Sequence, residues 1–162
     1  MQSKDASPSQ HVEAVIDAVL SASRVLVAVA ARSLADIAED VTLTQYRTMI
    51  VLASRGPQNL ASLAESVGVT PATATRMCDR LVKKDLVTRN AQSDDRRHIT
   101  LALSKKGATL VATVTKRRRR EIEKIVNAIA PKEQIVLVQA LSDFAMAAGE
   151  VPEQDWSTGW DL

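Results

Sequence analysis

The chain has 162 residues, 46% of them apolar and 25% charged, with a net charge of +2. That apolar share excludes a wholly disordered chain, and the length allows one domain with extensions. Aromatic residues make up only 2%, so the core must come from Leu, Val, Ile and Ala, which favour helix in long runs.

Residues 1–10 are polar around Pro8 and are expected to form a flexible arm. The pattern over residues 11–38 predicts one long helix. Val12, Val15, Ile16, Val19, Leu20 and Val27 form its apolar band, and Asp17, Arg24 and Asp36 its polar side. The band widens at Val25, Leu26, Val27, Ala28 and Val29. A helix apolar over so much of its circumference requires burial on more than one side. In a chain of this size that points to a second subunit; a central core helix of a monomer is the alternative. The most apolar run, residues 25–31, is too short to span a membrane, and no signal-peptide layout is evident near the start. No membrane partner is therefore expected.

A second helix is predicted over residues 44–55, capped by Thr44 and packed through Tyr46, Met49, Ile50, Leu52 and Ala53. Gly56 and Pro57 break it. A short third helix over residues 60–67 carries Leu60, Leu63, Ala64 and Val67 and ends at Gly68, which is free to turn left-handed. Thr70 then caps a fourth helix with Pro71 at its first position. Its apolar stripe is Ala74, Met77, Cys78 and Leu81, and its other face carries Thr73, Thr75, Arg76, Arg80 and Lys83. Two short helices joined by a tight glycine-containing turn are a helix-turn-helix, and the second is the reading helix. Small hydroxyls allow close approach to a major groove, and Arg can fork onto guanine or bind phosphate.

The fourth helix should end near Lys84, with Asp85 at a left-handed C-cap position. Residues 86–88 and 98–103 read as two strands, Ile99, Leu101 and Leu103 sharing a face, around a polar loop over residues 90–97. Together they form a β-hairpin wing. Ser104 caps a long helix over residues 105–127, and Pro131 opens a last helix that ends near Gly149. Residues 150–162 form an acidic tail with Trp156 and Trp160.

Charge is unevenly placed. Residues 44–107 hold eleven Lys and Arg against five Asp and Glu, a clustering that a polyanion rewards through counterion release. The single cysteine, Cys78, excludes an intrachain disulfide and fits a reducing cytoplasm. It lies on the apolar stripe of the reading helix, where an inert small hydrophobe is the ordinary reading and a redox switch the alternative. Lys116 and Arg117 to Arg120 are five consecutive basic residues that point all around the fifth helix, and salt bridges to acids such as Glu121 and Glu123 are expected. His11 and His98 stand in no metal-binding spacing, and no P-loop or nucleophile elbow is present. No cofactor and no enzymatic activity are expected.

Three phrases in residues 43–107 carry a resemblance: LTQYRTMIVL, then LASLAESVGVTPATATRMCDRLVKKDLVTR, then DDRRHITLALSKKG. In order and spacing they resemble the MarR family of bacterial transcriptional regulators. The resemblance implies a mainly α fold with a small β-hairpin wing, a winged helix-turn-helix flanked by dimerisation helices. By that reading residues 1–10 are the arm, 11–40 a dimerisation helix, 44–107 the DNA-binding domain, 108–149 two further dimerisation helices and 150–162 a tail. It implies a homodimer on double-stranded DNA at a pseudo-palindromic site, acting as a repressor whose affinity a small anionic or phenolic effector modulates. The effector pocket would lie between the first helix, residues 44–55 and the start of the fifth helix. The family's major-groove contacts carry over to Pro71, Ala72, Thr73, Thr75 and Arg76, with Arg80 as a further phosphate contact. Asp95 and Arg97 match the wing's Asp-x-Arg, whose Arg enters the minor groove, and Arg96 falls at a variable position suited to phosphate. Asp79 matches an acid that pairs with Arg97. The family usually has Gly where this chain has Asp85, and commonly Thr where it has Ser104. An architectural DNA binder with little sequence preference, and a winged-helix dimer that binds protein only, are the competing readings.

Overall fold

The computed structural model describes residues 8–92 and 95–156, the side chains of residues 8 and 91–98 excepted. Helix α1 is Pro8–Ala35, α2 Leu43–Arg55, α3 Leu60–Val67 and α4 Pro71–Lys83. Strands β1 (Gln58–Asn59), β2 (Val87–Gln92) and β3 (Asp95–Leu103) form one antiparallel sheet in the order β1-β3-β2. Helices α5 (Lys105–Val126) and α6 (Pro131–Ala147) follow, then a 3₁₀ turn at Glu153–Asp155. The fold is mainly helical with a small β wing, as the sequence leads one to expect.

Local chemistry sets the element boundaries. The cap of α2 is Thr42 rather than Thr44: its Oγ1 accepts the Gln45 N–H at 3.2 Å while Gln45 Oε1 accepts the Thr42 N–H at 3.0 Å. Thr42 has a Gln three residues on and can close this reciprocal box, whereas Thr44 has Arg47 there and cannot. Helix α1 stops at Ala35 instead of residue 38, and beyond it the bonding tightens from i→i−4 toward i→i−3: the Ile37 N–H goes to Leu34 O and the Val41 N–H to Ala38 O. The wing strands are longer than expected: β2 continues to Gln92 and β3 starts at Asp95, so Arg96 and Arg97 lie on strand backbone rather than in a loop. Strand β1, unanticipated, pairs Gln58 with Leu101 and Asn59 with Thr100.

The core gathers Met49, Leu52, Leu63, Cys78, Leu81, Val87 and Val114 from α2, α3, α4, β2 and α5. It therefore lies beneath the helix-turn-helix and fixes α4 against α2 and the sheet. Helices α1 and α6 are covered far less. Val12, Val15, Ile16, Leu20 and Val27 of α1 are all exposed, and no residue of α6 is buried. The central-core reading of the first helix therefore fails within a single chain. By length and composition alone the span Ser9–Ala35 could cross a membrane. The run at residues 25–31 is bounded by Arg24 and Arg32, and the longer span is reached only by counting the apolar residues beyond them.

Candidate nucleic-acid interface

Helix α4 is set by its cap and its stripe. Thr70 Oγ1 accepts the Thr73 N–H at 3.3 Å and donates to Thr73 Oγ1 at 3.0 Å, and Pro71 stands at the first turn. Ala74, Met77, Cys78 and Leu81 are buried, the four stripe positions read from the sequence. Pro71, Ala72, Thr75, Arg76, Asp79, Arg80 and Lys83 are exposed, and Thr73 is half-buried. Thr75 Oγ1 bonds back to Pro71 O at 2.9 Å, which directs its hydroxyl into the helix. The helix-turn-helix corner is made by Gly68, left-handed at φ 74°.

Five of the six reading-helix positions are thus exposed, Thr73 alone being half-buried. Arg76 and Arg80 stand between two shallow concavities. One is shared with Asp79, Val82, Lys83 and Arg89, the other with Thr42, Thr44, Gln45, Thr73 and Met77. Among the described residues, Arg76, Arg80 and Lys83 have no carboxylate partner. Uncompensated guanidinium and ammonium groups beside small hydroxyls are suited to phosphate and base edges.

Among the described residues Asp79 pairs with Arg89 of β2, whose Nη2 donates to Asp79 Oδ1 and ties α4 to the sheet. The expected partner, Arg97, has its side chain outside the described residues, as do Asp95 and Arg96. Arg89 was not singled out from the sequence. It follows Asp79 by ten residues, in a strand whose register brings it back beside α4.

The corner between α4 and α5 is tightly built. Asp85 adopts the left-handed φ of 58°, and its carbonyl accepts Ser104 Oγ at 2.6 Å. Ser104 Oγ in turn caps α5 by accepting the Gly107 N–H at 2.9 Å. Lys84 pairs with Asp40 at 2.7 Å, and this hydrogen bond holds the Asp40 carboxyl below the usual carboxylate range. A crevice of about 430 Å³ opens beside this corner. Ile37, Val41, Leu86 and Leu110 line it, with Asp40, Lys84 and Lys106 among its polar groups. It sits between the turn that follows α1, the corner after α4 and the start of α5, and no residue of α2 lines it.

Cys78 is fully buried, and burial pushes its thiol above the ordinary value. Two of the five residues of the basic run on α5 form ion pairs among the described residues, Arg117 with Asp36 and Arg119 with Glu153, and Glu121 pairs with Lys124 outside the run. Arg118 faces inward near Tyr46, and its Nε is buried without a hydrogen-bond partner. Tyr46 OH lies 3.3 Å from Thr115 Oγ1, and burial raises its pKa.

A helix-turn-helix with a capped, basic second helix and an adjoining β-hairpin defines a winged-helix protein of the nucleic-acid-binding type. A model of the MarR family matches residues 41–99. The crystal structure of RV1404 from Mycobacterium tuberculosis is 44% identical, covers 88% of this chain and 97% of its own, and superposes with a TM-score of 0.81. The uncharacterized HTH-type transcriptional regulator YhbI of Bacillus subtilis is 38% identical over 72 residues, 44% of this chain. The match spans about half, 47%, of that relative's length. Streptococcus pneumoniae FabT in complex with DNA shares the fold at 20% identity and a TM-score of 0.67, over 86% of this chain and 96% of its own. The chain belongs to the MarR family of DNA-binding transcriptional regulators.

Proposed function

We propose that the protein is a cytoplasmic, sequence-specific repressor that binds a pseudo-palindromic operator as a homodimer and is released by a small effector. The observation that carries this reading is the α4 surface. Pro71, Ala72, Thr73, Thr75 and Arg76 are presented together, and Arg80 adds a cation that no carboxylate of the described chain neutralises. On this reading Thr73 and Arg76 contact base edges, Arg80 contacts phosphate, and Asp79 with Arg89 braces the helix against the wing. At the wing Arg97 of the Asp95-x-Arg97 pattern enters the minor groove, and Arg96 contacts phosphate.

The dimer reading rests on the uncovered apolar faces. On α6, Ile135, Val136, Val138, Leu141, Phe144 and Met146 are 51–75% exposed, and Val12, Val15, Ile16, Leu20 and Val27 of α1 are 44–56% exposed. Faces this large are unfavourable in water and suit a second copy of the same two helices. The effector reading rests on the crevice between the turn after α1 and the start of α5. Its apolar walls and the Lys106 ammonium suit a small anionic or phenolic ligand, while Lys84 is already paired with Asp40. An occupant there would bias the angle of the reading heads.

The test is selection of bound sites from random DNA at several salt concentrations, with the oligomeric state measured by sedimentation. A palindromic motif bound by a dimer is expected. Equal affinity for all DNA supports an architectural binder instead. A monomer, or a chain that partitions onto vesicles through α1, refutes the dimer reading.

A further inference from the structure

The described part of the acidic tail, residues 149–156, is held against the body of the chain. Beyond α6 the chain folds back over α2 and α5. Arg55 Nη2 donates to Gly149 O at 2.8 Å. Arg47 grips the Glu150 carboxylate with both terminal nitrogens, at 3.1 and 2.6 Å. Arg119 Nη2 reaches Glu153 Oε2 at 2.8 Å. Trp156 then packs against the core, its Nε1 donating to Val151 O at 3.2 Å. Arg47 and Arg55 are eight residues apart on α2, so this strap engages about 12 Å of that helix.

The position of these contacts gives them a consequence. At its start α6 is tied to the chain by Gln134 Nε2, which donates to Val126 O and Ile129 O. At its end α6 runs into the strap. Helix α2, which the strap grips, packs directly behind α3 and α4 through the shared core. The strap therefore links the end of the uncovered apolar helix to the back of the reading head through α2, with a second tie to α5 at Arg119.

We propose that residues 149–156 act as a brace that holds each reading head at a fixed angle to the α1 and α6 helices, and that releasing this brace loosens the heads and weakens DNA binding. The proposal rests on the dimeric DNA-binding reading above. Two heads held at a set separation lose less freedom when both half-sites engage, so bracing favours the second contact. The strap is also releasable. Its two ion pairs have side chains 36–63% exposed, and pairs so placed are individually weak and screened by salt. The bidentate geometry of Arg47 on Glu150 makes that pair the stronger of the two.

The test uses the full chain with a spin label at Glu65→Cys, an exposed position on α3, while Cys78 is buried and unlabelled. The label-to-label distance across the DNA-free dimer is measured alongside affinity for the selected operator. Wild type is expected to give a narrow distribution. Glu150→Gln, and truncation after Gly149, should broaden it and weaken operator binding about fivefold. The reversed pair Arg47→Glu with Glu150→Arg should restore both. An unchanged distribution in both Glu150→Gln and the truncated chain overturns the brace. A broadened distribution with unchanged operator affinity overturns its role in DNA binding. If wild type selects no palindrome, the functional reading fails, and the distance widths still decide whether the strap braces the heads. A chain that gives no label-to-label distance is a monomer and removes the basis of both.

Discussion

Gly107 offers the sharpest structural prediction. It lies in the first turn of α5, where a Cβ would stand 2.0 Å from Leu86 O, 3.0 Å from Leu86 C and 3.3 Å from Leu103 Cδ2. A carbon normally keeps roughly 3.3 Å from a carbonyl oxygen, so in Gly107→Ala the start of α5 must retreat by more than 1 Å. The obstacle is backbone, which cannot swing aside. Retreat strains the Ser104 N–H bond to Leu86 O at 3.1 Å, the Ser104 Oγ bond to Asp85 O at 2.6 Å and the Lys106 bond to Lys84 O at 2.9 Å. Each is worth about 1 kcal/mol net, overpacking adds about 1–3 kcal/mol, and the helix preference of Ala returns about 0.5–1 kcal/mol. The expected loss is about 3–5 kcal/mol. Gly68→Ala is the control. Gly68 has φ +74° and nothing within 4 Å of an added Cβ, so only left-handed strain of about 1–2 kcal/mol applies. Urea denaturation at matched protomer concentration compares them, since the stability of a dimer depends on concentration. If Gly107→Ala unfolds no earlier than Gly68→Ala, the seating of α5 on the Leu86 backbone is wrong.

Four further outcomes follow from the structure. Asp85→Gly removes a side chain held at φ 58° while keeping the carbonyl that Ser104 Oγ uses, so urea denaturation should show a gain of about 0.5–1 kcal/mol; a loss would mean that the Asp side chain stabilises the corner. Arg80→Gln removes one phosphate contact per protomer, so the log–log salt slope of operator binding should flatten by about 1.8 with equal loss on all sequences. Arg76→Ala should instead relax the base preference at about 1–3 kcal/mol per half-site, and identical behaviour of the two variants would remove the distinction drawn between them. Peroxide should leave operator affinity unchanged, because the Cys78 thiol is buried and burial keeps it protonated; a loss reversed by a thiol reductant would make Cys78 a switch.

The reading helix was legible because its signals are local. Thr70, Pro71 and the stripe Ala74, Met77, Cys78 and Leu81 specify start, direction and buried face within twelve residues. The left-handed Asp85 was legible for the same reason. The cap of α2 was also written locally, in Thr42 and Gln45, but Thr44 offered a competing start. Strand β1 was not legible, since two polar residues become a strand only when the edge of β3 is beside them. The partner of Asp79 depends on strand register, which the resemblance did not specify at Arg89. The strap was least legible of all. It joins Arg47 to Glu150 and Arg119 to Glu153 across 103 and 34 residues, using residue types that any solvated surface carries. The uncovered faces of α1 and α6 are the converse case, where the breadth of the α1 apolar band already implied more burial than one chain supplies.

The central claim is that two α4 helices read one operator from the same face of the duplex, about one turn or 34–36 Å apart. Operators carrying the selected half-sites with half a turn or a full turn of DNA inserted between them test it most directly. Half a turn should abolish high-affinity binding by placing the half-sites on opposite faces, and a full turn should restore the facing and leave only the changed span to be met. Affinity indifferent to both insertions would contradict the account.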